Sequence, residues 1–193
     1  MSRQTTLLTS HKGVDLHAAS AVRVMRDRLT GGDRLVALYR CELHTFWDGD
    51  DEVSLARLLD NGRYYNPNKH HYGHFACDDG GRWPEGAGGE LAAAWPGTLR
   101  GTDLTSLDGR DTGLYDRLLG GPVAAGAVAV DVAAWPRDDA GPVLSGVLWR
   151  LVLAAPPAEA RALGEQLAVA RSRKDGLLLN PHMENWRTAV RRG

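Results

Sequence analysis

Residues 12–16 read Lys12-Gly13-Val14-Asp15-Leu16, and the pattern returns as Arg100-Gly101-Thr102-Asp103-Leu104. Asp27-Arg28-Leu29-Thr30-Gly31-Gly32 returns as Asp116-Arg117-Leu118-Leu119-Gly120-Gly121. Gly62-Arg63-Tyr64-Tyr65-Asn66-Pro67, with Tyr72 five residues past the proline, returns as Gly176-Leu177-Leu178-Leu179-Asn180-Pro181, with Trp186 five past. The matches keep their order at offsets of 88, 89 and 114 residues. This is the signature of a tandem duplication with about 25 residues added inside the second copy.

Working outward, Thr5–Thr9 reads as a short strand and Asp15–Leu29 as a helix. Ala18, Val22, Met25 and Leu29 share one helix face, and Gly31-Gly32 ends it. Leu35–Trp47 reads as a long strand, with Val36, Leu38, Arg40, Glu42, His44 and Phe46 on one face. Glu52–Leu59 is a short helix. Tyr64–Cys77 is extended, because the residue before proline avoids the α region. Residues 79–97, rich in Gly and Pro, read as a linker. The second copy reads as a strand near Thr98, a helix over Thr112–Leu119, strands over Val123–Trp135 and Val147–Leu153, a helix opened by Pro156-Pro157, and a final strand to Val190.

That order, β-α-β-β-α-β, predicts an α+β protein. It would hold a tandem pair of ferredoxin-like (βαββαβ) units, at residues 1–78 and 98–193, packed as a pseudo-dimer through their sheets. Antiparallel sheets with helices on one face leave the other faces to meet.

Hydrophobic residues make up 43% and charged residues 24%, ordinary for a globular chain. A net charge of −1 leaves no electrostatic footprint for nucleic acid. No apolar run approaches the ~20 residues of a bilayer span, and Met1–Ser10 lacks the organisation of a signal peptide. Two cysteines, Cys41 and Cys77, form no disulfide framework or CxxC motif. A cytoplasmic protein is the expectation.

The densest polar stretch is Asn66-Pro67-Asn68-Lys69-His70-His71-Tyr72-Gly73-His74. On a strand, His70 and His74 share a face but stand ~13 Å apart. Metal ligation, a solvated strand, and a metal-free site using one histidine are the three readings. A metal would need His44 or Glu42 from a neighbouring strand. Arg40, Glu42 and His44 share a face, and the strands of His44 and His74 would be neighbours. The expected pocket lies between the two units. His44, His74 and Glu42 would exchange protons there, and Arg40, His71, Tyr72, Lys69 and Arg150 would bind an anionic substrate. Arg150 and Asp131 could instead pair with each other. Trp83 and Trp95, in the linker, could form a lid. No phosphate-gripping GxxxxGK[ST], strand-linked GxGxxG or GxSxG motif is present, so no cofactor is named.

The residues also resemble a known family. The strand followed by Lys12-Gly13-Val14-Asp15 and a helix is similar to the start of PurS, the small subunit of bacterial formylglycinamide ribonucleotide amidotransferase. Leu177-Leu178-Leu179-Asn180-Pro181-His182-Met183-Glu184-Asn185-Trp186 is similar to its closing pattern. The resemblance implies a βαββαβ fold and a non-catalytic bridge between a glutaminase and a synthetase. PurS is a single short unit that self-associates, so a homodimer or a synthetase is the protein partner it implies. This chain departs by joining two units and by placing His70 where the second copy has Glu184. Two functions therefore stand side by side: a small-molecule acid–base enzyme, and a PurS-like accessory subunit.

Overall fold

The computed structural model describes residues 4–47, 55–78, 98–102, 114–137 and 143–192. The linker at 79–97, with Trp83 and Trp95, lies outside these residues, as do Asp103-Leu104 and the starts of the helices expected at Glu52 and Thr112. The strands are β1 (Gln4–His11), β2 (Leu35–Trp47), β3 (His70–Asp78), β4 (Thr98–Thr102), β5 (Val128–Pro136), β6 (Val143–Leu153) and β7 (Glu184–Arg192). The helices are α1 (Leu16–Arg28), α2 (Leu55–Asp60), α3 (Leu114–Leu118) and α4 (Pro157–Ala168). The fold is α+β.

All seven strands form one sheet in the order β4-β3-β1-β2-β6-β5-β7, and every neighbouring pair is antiparallel. The expected face-to-face packing of two sheets is corrected here. The halves β3-β1-β2 and β6-β5-β7 join edge to edge, from Leu35↔Leu153 to Phe46↔Val143 across β2 and β6. Helices then cover both faces. On one face, Ala18 and Met25 of α1 and Ala160, Leu163 and Leu167 of α4 pack with Leu38, Val130, Val132 and Leu151. On the other, Tyr115 and Leu118 of α3 and the following Leu119 pack with Leu8, Cys41, Leu43 and Leu148. The chain's own helix thus packs on the second face, where another sheet was expected.

Local chemistry explains the ends of these elements. Asp15 caps α1, its Oδ1 accepting from the N–H groups of His17 and Ala18 at 2.9 and 3.1 Å. Such a cap contributes about 1 kcal/mol. Gly31 and Gly120 follow α1 and α3 at φ 76° and 87°, a conformation that favours glycine.

The two Asn-Pro turns are built alike. Asn66 Oδ1 accepts from Asn68 N–H at 2.9 Å, and Asn180 Oδ1 from His182 N–H at 3.0 Å. Asn66 O accepts from His70 N–H, and Asn180 O from Glu184 N–H, at 2.8 and 2.9 Å. Even the residues that differ act alike: Asn66 N–H donates to His70 Nδ1 at 3.3 Å, and Asn180 N–H to Glu184 Oε2 at 2.7 Å. The Lys/Arg-Gly-x-Asp match differs. Lys12–Asp15 is the turn into α1, whereas Arg100-Gly101-Thr102 lies within β4, opposite Ala76, Phe75 and His74.

Candidate functional site

β1 pairs with β2 only as far as Thr9↔Glu42, but continues along β3 to His11↔His70. The end of β1 therefore leans away from β2 and opens a notch in the sheet. The notch forms a cleft of about 390 Å³. Its walls are Ser10–Asp15 and Ala18 from the β1–α1 turn, Leu38–Arg40 from β2, His71 from β3, and Arg117, Leu118 and Gly120 from the end of α3. Both halves of the chain contribute.

Its charge is lopsided. Among the described residues its lining holds three cations, Lys12, Arg40 and Arg117, and one carboxylate, Asp15. Arg40 lies 3.6 Å from Asp15 Oδ2 and 3.3 Å from Glu42 Oε1, with its guanidinium 5.8 Å from the centre of the Trp149 ring. Asp15 Oδ2 is buried and, among the described residues, accepts no hydrogen bond. Lys12 anchors the turn, its Nζ donating to Pro67 O at 2.7 Å and its backbone N–H to Lys69 O at 2.8 Å. Burial first, and Lys12 second, hold His71 below the ordinary histidine range. A histidine so placed is neutral at neutral pH and able to take a proton.

The residues named from the sequence divide. Arg40 and His71 line this cleft, and Glu42 reaches it through Arg40. Lys69 contributes its backbone carbonyl to the turn, with its side chain exposed. His44 stands elsewhere on β2: Nδ1 is 3.0 Å from Ser145 Oγ across the β2–β6 junction, and the ring is 4.8 Å from Tyr64. Burial lowers its pKa as well. Tyr72 is buried with Leu7, Phe46 and Tyr64. The expected adjacency of the His44 and His74 strands is corrected. β1 runs between them, and Leu7 is the partner of both residues.

Arg150 is also corrected as a substrate ligand. It is 1% exposed, opposite Asp131 in the sheet. Its Nε and Nη2 donate to Asp131 at 2.7 and 2.8 Å, and its Nη1 to Asp116 at 2.9 Å. Tyr115 adds a hydroxyl bond to Asp131 at 3.0 Å, and burial together with that carboxylate holds its phenol protonated.

Sequence reading missed His11, Tyr39 and Arg117 as cleft residues. The Asp-Arg-Leu-x-Gly-Gly repeat marked Arg117, but the repeat was legible only as a helix stop. Among the described residues, no group of three or more His, Cys, Asp or Glu side chains is placed to hold a metal ion. Among them, too, no helix is long and apolar enough to cross a membrane. Comparison with protein families, with curated proteins and with solved structures returns no match to this chain.

Proposed function

We propose that this protein binds a small anionic molecule in the notch between β1 and β2 and acts on it as an acid–base enzyme of biosynthesis. The observation that carries the reading is the lining, where Lys12, Arg40 and Arg117 outnumber the one carboxylate, Asp15, among the described residues. Guanidinium groups suit carboxylate and phosphate oxygens, which they meet with two parallel donors. His71 supplies the proton chemistry, since its neutral ring lines the same cleft. The proton-transfer role thus moves from His44 and His74 to His71. Chemistry that needs only a base and an anion clamp asks for no organic cofactor.

Calorimetric titration with inorganic phosphate and with small mono- and dicarboxylates tests the proposal. Saturable binding is expected, and Arg117→Gln should weaken it about tenfold, the weight of one charge-assisted contact. If no such anion binds, or if the wild type and Arg117→Gln bind alike, the reading fails. With a substrate in hand, His71→Gln should lower turnover and leave binding in place.

A second reading has its own observation. Val14 and Leu16, beside the cleft, are 75% and 74% exposed. Exposed apolar groups at the mouth of the Lys12–Leu16 turn favour docking to a larger protein, as in a PurS-like subunit that bridges a synthetase and a glutaminase. There, Val14→Ser with Leu16→Ser would abolish co-elution with the synthetase.

The same resemblance bears on history. We read the halves as a diverged tandem pair of ferredoxin-like units, and the matching Asn66 and Asn180 turns support that descent.

A further inference from the structure

The sheet ends at β7, and among the described residues nothing pairs with its outer edge. The strand is long and regular, aligned without a bulge on β5 from Glu184↔Pro136 to Arg192↔Val128. Natural proteins blunt such edges with bulges, proline or charged side chains, because a bare edge recruits another strand; β7 has no bulge or proline, and its charges, Glu184, Arg187, Arg191 and Arg192, are of both signs. Here a cavity of about 660 Å³ borders the strand, lined by the consecutive residues Asn185, Trp186, Arg187 and Thr188 together with Trp135 of β5 and Arg161 and Glu165 of α4.

We infer that β7 is a self-association edge, and that its occupant is β7 of a second copy of this chain. An exact two-fold axis perpendicular to an antiparallel sheet sets one residue opposite itself. Using the whole nine-residue strand places Thr188 there. Glu184 then faces Arg192, Asn185 faces Arg191, Trp186 faces Val190 and Arg187 faces Ala189, each pair occurring twice. Opposite charges meet at both ends, and an aromatic meets a β-branched residue on the helix-bearing face, pairings that favour a sheet. The neighbouring registers are penalised. Centring on Arg187 sets two copies of it in contact, and centring on Ala189 sets Arg187 against Arg191 twice. In the Thr188 register, the partner's residues 188–191 lie along the half of β7 that lines the cavity. The same antiparallel joining already unites β2 and β6 within one chain.

Light scattering on the eluting full-length protein, over a wide concentration range, tests the inference. The expected mass is twice 20.9 kDa at high concentration. Arg192→Glu should give monomers, and Arg192→Lys, which keeps both end pairs, should stay dimeric; neither change touches the carboxylate with which Glu184 holds its own Asn-Pro turn. Circular dichroism establishes that each variant is folded. A wild type that stays monomeric at every concentration overturns the inference, as does a dimer indifferent to Arg192→Glu, or one that Arg192→Lys dissociates.

Discussion

His70 carries a histidine into a role that Glu184 performs in the second half, accepting a hydrogen bond from the backbone N–H of an Asn-Pro turn. That role requires a neutral ring. Burial first, and His11 next, lower its pKa. His44 and His71 are lowered too, with burial the leading cause in each. The sign follows from linkage: below the ordinary histidine value of 6.5 the unfolded chain takes up protons that the folded chain resists. The stability contributed by the neutral rings is present above that value and is lost as pH falls toward the folded values. The melting temperature should therefore drop between about pH 7.5 and about pH 5.5. His70→Glu, which installs the residue of the other turn, should flatten that drop; an unchanged slope would show that His70 does not contribute. Gly120 gives a second test at this scale. Its φ is 87°, and a Cβ there would stand 2.2 Å from the Tyr39 ring. Gly120→Ala should cost about 2–4 kcal/mol in urea unfolding, from backbone strain and overpacking together. Tyr39 also lines the cleft, so anion binding should weaken in parallel.

The β5–β6 pair shows how an element carries charge through a core. Asp131 and Arg150 interrupt otherwise apolar strands, and their register makes them direct partners. Both are buried, with Tyr115, Asp116 and Gly121 satisfying the remaining donors and acceptors. Breaking such a pair from one side leaves an uncompensated charge in the core. Asp131→Ala should cost about 3–5 kcal/mol by denaturant titration. Asp131→Leu with Arg150→Met should recover most of that loss, because both charges leave together. A double variant as unstable as the single one would mean that Asp116, which also pairs with Arg191 at 3.0 Å, needs Arg150. Elements of this kind were legible in the chain. Leu35–Trp47 spans the residues expected of it, as the period-two pattern and the Gly31-Gly32 stop dictate. The helix over Leu16–Arg28 is framed by Asp15 and the same glycines. The early start expected for β5 was not observed, since Pro122 to Gly126 lie in turn and loop before Val128.

At the scale of the whole molecule, the β2–β6 junction decides how the protein behaves. Leu38, Cys41, Leu43, Leu148 and Leu151 are buried where the halves meet. A half released from the other would expose them. The chain should therefore unfold in one transition, with tryptophan fluorescence and far-ultraviolet dichroism coincident. Proteolytic nicking within residues 79–97 should leave two fragments that co-elute. Fragments that separate and remain folded would mean that the halves are independent domains. What the sequence determined by itself was local: period, caps, the Asn-Pro turns, and the pairing potential of Asp131 with Arg150. These depend on neighbours within a few residues, or on a charge that cannot be buried alone. Tertiary structure alone decided strand order, and strand order decided the site. It set β1 between the strands of His44 and His74, moved β4 to the far edge, and opened the notch where Arg40, His71 and Arg117 meet. Alternation along a strand specifies which face a residue takes, but leaves open which strand lies beside it. That choice is made by the collective burial of Leu8, Cys41, Leu43 and Leu148 against Tyr115 and Leu119, contacts between residues far apart in the chain.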